Sequence, residues 1–205
     1  FKNPGGDIIY VDFGHGKYRP GGSTLCQLIG KYNYETPDFE NMERFPSIFN
    51  IIQMLILSRS IVTIHDRSDG GLITTITEMC LSGGYGAKLN IIERGVSPFR
   101  YFFSEELGII LEGDYSQIDK LIGHMVPVYK IGVVTEEPIL DITYNTLPLL
   151  NIPISKARIS WEETSFSILE RMTHPKSVRE EREYVADETN YISPPSYKFH
   201  FPMEY

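Results

Sequence analysis

The chain has 205 residues, 41% of them hydrophobic and 22% charged, with a formal net charge of -8 and a pI near 5.2. That is ordinary globular composition, long enough for one substantial core or for one domain with an appendage. The acidic balance argues against nucleic acid as the main partner, because a phosphate backbone requires a basic face. The most apolar run, Met54 to Leu57, is ended by Arg59, so no stretch reaches the length of a membrane span.

The chain begins with Phe1 and shows no signal peptide, which reads as a fragment or processed chain. The only two cysteines, Cys26 and Cys80, have no metal-type spacing. Each falls in an expected helix, so both read as packing residues in a reducing compartment, and a cytoplasmic location is expected.

Taken in order, Asp7 to Phe13 reads as a strand. A glycine-rich loop, Gly14 to Ser23, follows it. The loop superficially resembles a phosphate loop, but no Lys-Ser/Thr pair ends it. His15 within it has no evident partner and reads as a surface residue. Ser23 can cap a short helix over 24–29. Residues 31–46 read as loop, and Phe45 to Ser58 has the apolar pattern of a largely buried helix.

The informative stretch is Ile61 to Leu72, IVTIHDRSDGGL. A β-branched strand runs into a polar knot, and apolar residues at 72, 73, 76 and 79 then have helical spacing. The knot is therefore expected on a strand-to-helix turn. Ser68 or Asp69 is a candidate N-cap, and Gly70 and Gly71 permit close approach to the backbone. Such a turn points N–H groups and the positive helix end at an anion, and Asp66 offers an oxygen ligand to Mg²⁺. Two readings of the knot stay open on local grounds: a helix cap and a phosphate–metal site.

Glycines at 83, 84 and 86 stop that helix. Strands are then expected over 87–92, 108–112, 129–134 and 139–144, with helices over 98–106 and 116–124. The alternation predicts an α/β (α+β) domain, a mixed sheet flanked by helices. A second, polar region follows. Ser160 to Met172 reads as an amphipathic helix anchored on the domain by Trp161 and Phe166. His174-Pro175 breaks it. The charge run from Arg179 to Tyr184 reads as a solvated helix face, and Tyr191 to Pro195 as extended chain. The division is a domain over 1–152 and a helical or extended linker over 153–205.

Several motifs, in one order, carry a resemblance. They are the glycine-rich run ending Gly21-Gly22-Ser23, then His65-Asp66-Arg67-Ser68-Asp69-Gly70-Gly71-Leu72, then Gly83 and Gly86, then Phe103-Ser104-Glu105-Glu106-Leu107-Gly108, and finally Trp161 with Thr164 and Ser165. Together they resemble phosphoribosylformylglycinamidine synthase, the large glutamine amidotransferase of purine biosynthesis. Gly84-Tyr85 stands where that family usually has Asn-Cys, and Pro20 replaces a common Leu.

The resemblance implies a fold similar to the C-terminal domain of aminoimidazole ribonucleotide synthetase, in the second half of a longer synthetase, with a linker toward a glutaminase domain. It implies an ATP-dependent amidation of formylglycinamide ribonucleotide, with ammonia drawn from glutamine. It also implies an auxiliary, structural Mg²⁺–ADP site, to which Asp66 contributes as a metal ligand and Ser68 as a nucleotide contact. Other ligands of that site and the glutaminase residues lie outside the sequence, no catalytic residue is assigned within it, and the fragment alone is expected to be inactive. Two alternatives remain: another ATP-dependent enzyme of the same superfamily, such as aminoimidazole ribonucleotide synthetase or selenophosphate synthetase, and a non-enzymatic scaffold or virion relative that kept the fold.

Overall fold

A computed structural model describes residues 1–187 apart from Asn33 and Arg94. Seven strands form one mixed sheet: β1 (Asp7–Asp12), β2 (Ile61–Asp66), β3 (Gly86–Ile91), β4 (Gly108–Gly113), β5 (Val128–Thr135), β6 (Ile139–Tyr144) and β7 (Leu147–Pro153). Their spatial order is β2-β4-β1-β5-β3-β6-β7. All pairings are antiparallel except β3 with β6. The helices are α1 (Thr24–Leu28), α2 (Phe45–Leu57), α3 (Gly71–Gly83), α4 (Pro98–Phe103), α5 (Tyr115–Ile122), α6 (Ile154–Met172) and α7 (Pro175–Ala186). This is the mixed, helix-flanked sheet that the alternating pattern predicts.

The core lies on both faces of the sheet, and β1 shows why. Ile8, Ile9, Tyr10 and Val11 are all fully buried. Successive strand residues point to opposite faces. Ile8 and Tyr10 therefore join Leu72, Ile76 and Met79 of α3, Phe102 of α4 and Ile154 of α6 on one face. Ile9 and Val11 join Ile48, Ile52 and Leu55 of α2 and Ile118 and Ile122 of α5 on the other. A continuous apolar run marks a central strand covered on both sides. Both cysteines are buried, as their helical context implies. Burial pushes the Cys80 thiol up to about 12, which leaves it unreactive.

Two features depart from the sequence reading. The edge strand β7 has no signature in the pattern, because Pro148 and Pro153 interrupt it and most of its side chains are exposed. Proline is tolerated there because an edge strand has N–H groups without a neighbour to bond. The last long helix also begins at Ile154, six residues before the expected start. Its inward stripe runs Ile154, Arg158, Glu162, Phe166 at four-residue spacing, and Trp161, one residue off the stripe, is 57% exposed. Trp161 is thus not the anchor; Phe166, 2% exposed, is. The charge run does lie on a helix, α7, which packs on α6 through Val178 and pairs Arg182 with Glu163. The expected extended segment, Tyr191 to Pro195, lies outside the described residues.

Candidate functional site

Strands β1, β2, β3 and β6 all point the same way, since each is antiparallel to its β4 or β5 neighbour or parallel to β3. Their carboxyl ends therefore leave the sheet at one edge. The glycine-rich loop after Asp12, the polar knot after Asp66 and the segment after Ile91 gather there, beside the start of β4 at Gly108. Open α/β sheets place ligands at this kind of edge.

The polar knot is a strand–turn–helix, with β2 ending at Asp66 and α3 starting at Gly71. Neither Ser68 nor Asp69 is the N-cap. That position is Gly70, in the left-handed region at φ 82°, and no side chain caps the helix. The Ser68 hydroxyl instead donates to the Asp66 carboxylate. This bond is the largest cause holding the Asp66 carboxyl below its usual range, with the backbone and His65 adding to it against partial desolvation. The Asp66 side chain is 73% exposed, so its charge faces outward. His65 contacts the Asp66 carbonyl at 2.8 Å through Nδ1 and Glu78 of α3 at 3.1 Å through Nε2.

The group that approaches the glycines closely belongs to the protein. Gly71 sits at φ 73°, and a Cβ there would lie 2.6 Å from the Phe102 carbonyl oxygen and 2.7 Å from that of Ser104. Arg67, between the two singled-out residues, is 4% exposed. Its guanidinium donates to the carbonyls of Tyr101 and Ser104, to the Ser104 hydroxyl and to the Tyr10 hydroxyl, while its backbone N–H donates to Gly108. The turn is pinned from beneath by a cation whose acceptors are neutral oxygens. Glu105 pins it from the side: its Oε1 accepts at 2.8 Å from the Gly70 N–H and at 2.8 Å from the Thr24 N–H.

The glycine-rich loop is wrapped around an internal carboxylate. Asp12, fully buried, accepts from the Gly14 and Gly16 N–H groups at 2.9 and 2.6 Å and from the Tyr10 hydroxyl at 2.8 Å. Tyr10 thus joins Asp12 to Arg67, and the two loops share one buried network. Further along, Arg19 holds the fully buried Glu106 through Nε and NH2, each at 2.7 Å. His15 is half-buried, with Nε2 3.2 Å from the Asn41 amide.

Asp66 and Ser68 are thus brought together at an exposed turn. Among the described residues no three His, Cys, Asp or Glu side chains are placed to hold a metal ion. Asp66 fits one corner of a Mg²⁺ site in which phosphate oxygens and water supply the rest; even with Asp69, which is also exposed in this turn, it does not make a cage. Arg67, Glu105 and Asp12 escaped the sequence reading as site residues. The Phe-Ser-Glu-Glu-Leu-Gly motif did contain Glu105 and Glu106, but only the fold shows which backbone N–H groups they meet.

Residues 19–145 match the family described as AIR synthase related protein, C-terminal domain. The chain is 36% identical over 171 residues to a probable phosphoribosylformylglycinamidine synthase, chloroplastic/mitochondrial, of Arabidopsis thaliana, a match covering 80% of the chain and 12% of that protein. It is 29% identical over 201 residues to human phosphoribosylformylglycinamidine synthase, covering 94% of the chain and 15% of that protein. The chain therefore spans under one sixth of these relatives' length. Among solved structures, PurL of Thermotoga maritima in complex with FGAR aligns with a TM-score of 0.63 at 14% identity, over 76% of the chain and 28% of PurL. The same protein in complex with ATP aligns at 0.59 and 15% identity, over 75% and 26%. These two likenesses show the fold.

Proposed function

The chain belongs to the AIR synthase related protein family, as its C-terminal domain, and from that premise we propose that it is part of a phosphoribosylformylglycinamidine synthase. The reaction is ATP- and glutamine-dependent amidation of formylglycinamide ribonucleotide in purine biosynthesis. The observation that supports it most is the turn itself. Within a match to a relative of that name, the chain keeps an outward Asp66 joined to Ser68 at the carboxyl end of a strand and the start of a helix. Residues 1–152 are the domain and residues 153–205 a connector toward a glutaminase domain.

In this reading Asp66 would hold one position on Mg²⁺ and Ser68 would contact the nucleotide of an auxiliary Mg²⁺–ADP site. A metal held there would supply charge neutralisation for the phosphate. The chain's own residues do the rest. Ser68 keeps Asp66 ionised and oriented, Arg67 and Glu105 hold the turn rigid, and Gly71 lets the turn seat against the 102–104 backbone. Nothing in this arrangement acts as a general base, so the role is binding and orientation rather than bond making. Glutamine and formylglycinamide ribonucleotide are handled by other parts of the polypeptide. The protein works in the cytoplasm, or in an organelle as the name of the Arabidopsis relative indicates. Among the described residues no helix is long and apolar enough to cross a membrane.

The test is an assay of the full-length polypeptide beside the 205-residue chain, following amidine product from formylglycinamide ribonucleotide with ATP and glutamine. Product from the full-length protein and none from the chain supports the proposal. A full-length protein that turns over none of these substrates would favour a scaffold relative that kept the fold.

A further inference from the structure

A cavity opens at the same sheet edge, beyond the carboxyl end of β3. It has a volume of about 270 Å³, and its lining includes Tyr18, Tyr101 and Tyr129 together with Asn90, Glu93 and Lys130. No residue of the polar knot reaches it. Three tyrosines meet here because the sheet splays: β3 leaves β5 after Leu89 pairs with Gly132, and the side chains of the β5 start and of α4 fill part of the gap. Tyr18 lies over Tyr101 with ring centroids 5.2 Å apart, and Tyr129 packs 6.2 Å from Tyr10.

The lining carries one carboxylate, Glu93, and one ammonium, Lys130, among the described residues. The Glu93 carboxylate lies against the Tyr18 hydroxyl at 3.3 Å. The Lys130 ammonium, the lining's one cation among the described residues, is paired with Asp7. Burial raises the pKa of the Tyr18, Tyr101 and Tyr129 hydroxyls; Glu93 and Asp12 raise each further, while at Tyr101 the Arg67 charge acts against them. The pocket therefore holds neutral phenols beside the Glu93 carboxylate. Tyr101 adds a second observation. It is 4% exposed, yet among the described residues its hydroxyl has no hydrogen-bond partner, and it lines the cavity. No buried side-chain polar atom among the described residues lacks a partner, so this unpartnered hydroxyl reaches the cavity, where a ligand or water can meet it.

We infer that this cavity is a binding site for a small organic cation, a molecule carrying a primary or methylated ammonium group held among Tyr18, Tyr101 and Tyr129 and facing Glu93. Aromatic rings attract such cations through their quadrupoles, and a carboxylate in a partly desolvated setting adds a Coulomb attraction far stronger than in water. The size suits a compact ligand, being at the lower limit for small-molecule pockets. The cavity's lining uses none of the residues 66–71, although Arg67 holds the Tyr101 backbone carbonyl behind it.

The test uses the 205-residue chain with ¹³C-labelled tyrosine rings, titrated with tetramethylammonium chloride, and with sodium chloride and ribose as matched controls. The inference predicts saturable shifts confined to the resonances of Tyr18, Tyr101 and Tyr129, absent with both controls. Glu93→Gln should weaken binding about tenfold. Tyr18→Ala should abolish the saturation. Tyr101→Phe removes only a hydroxyl without a protein partner, so it should leave the melting temperature unchanged and keep tetramethylammonium binding through the ring, while weakening methylammonium, which donates hydrogen bonds. Shifts that stay linear, that ribose reproduces, or that survive Glu93→Gln unchanged would overturn the inference. Should Tyr18→Ala unfold, Glu93→Gln and Tyr101→Phe decide the question alone.

Discussion

Asp66 and Ser68 are coupled before any ligand arrives. Because the Ser68 hydroxyl donates to Asp66 and is the largest cause of its lowered pKa, Ser68→Ala should move the Asp66 carboxyl back toward the ordinary value of about 3.9. Side-chain ¹³C NMR across pH 2–6 reads this directly; an unchanged titration in the variant would contradict the assignment. The sign for stability follows. A carboxyl depressed in the fold contributes stability that is present above its unfolded pKa and lost as pH falls through its folded value. Wild type should therefore lose that contribution only in the acid range below the ordinary carboxylate pKa, and Ser68→Ala should narrow the difference. The strand-to-helix turn that carries Asp66 and Ser68 was legible because a β-branched run gives way to helical spacing across two glycines, whereas the capping expected of Ser68 falls to Gly70 instead. Arg67 was not legible, since its burial comes from segments about 35 and 57 residues away. Arg67→Met strands two carbonyls and two hydroxyl groups, and should cost about 2–5 kcal/mol in urea denaturation. A loss below about 1 kcal/mol would mean that water replaces the guanidinium without penalty.

At the scale of elements, the two loops at the sheet edge use two kinds of glycine. Gly16 and Gly71 both have positive φ, 75° and 73°, but a Cβ at Gly16 meets nothing within 4 Å while one at Gly71 strikes the backbone of residues 102–104. Gly16→Ala should therefore cost only the conformational strain, about 1–2 kcal/mol. Gly71→Ala should cost clearly more, since it must also push α3 off α4. Thermal denaturation of both variants checks the ranking, and equal losses would refute it. The helices and central strands were legible because their periodicities are set by burial on one or two faces. The edge strand β7 was not, because an exposed strand broken by Pro148 and Pro153 has no apolar alternation to read. Trp161 was misjudged for a related reason: aromatic size implies burial, but the inward stripe of α6 is set by where the helix starts, and it starts at Ile154.

Across the whole molecule, the strand directions bring the chemistry together. Asp12, Asp66 and the segment after Ile91 are far apart in the chain but leave one edge of one sheet. The order of motifs along the sequence revealed the family, yet it could not reveal that Tyr10 ties Asp12 to Arg67 and so makes the two loops one unit. That unit presents the exposed Asp66 at its rim, and under the proposed function it would contribute a ligand to a nucleotide–metal site rather than run the reaction. One carboxylate is a small share of an Mg²⁺ site, but losing it removes a full negative charge facing the metal. The most direct measurement is of the full-length polypeptide, wild type and Asp66→Asn, purified alike, with bound nucleotide extracted after denaturation and melting temperatures recorded. The account predicts ADP retained by wild type, reduced by Asp66→Asn, and a lower melting temperature in step with the lost ligand. Equal ADP content with unchanged melting would take Asp66 out of the site and leave the turn a structural junction between β2 and α3.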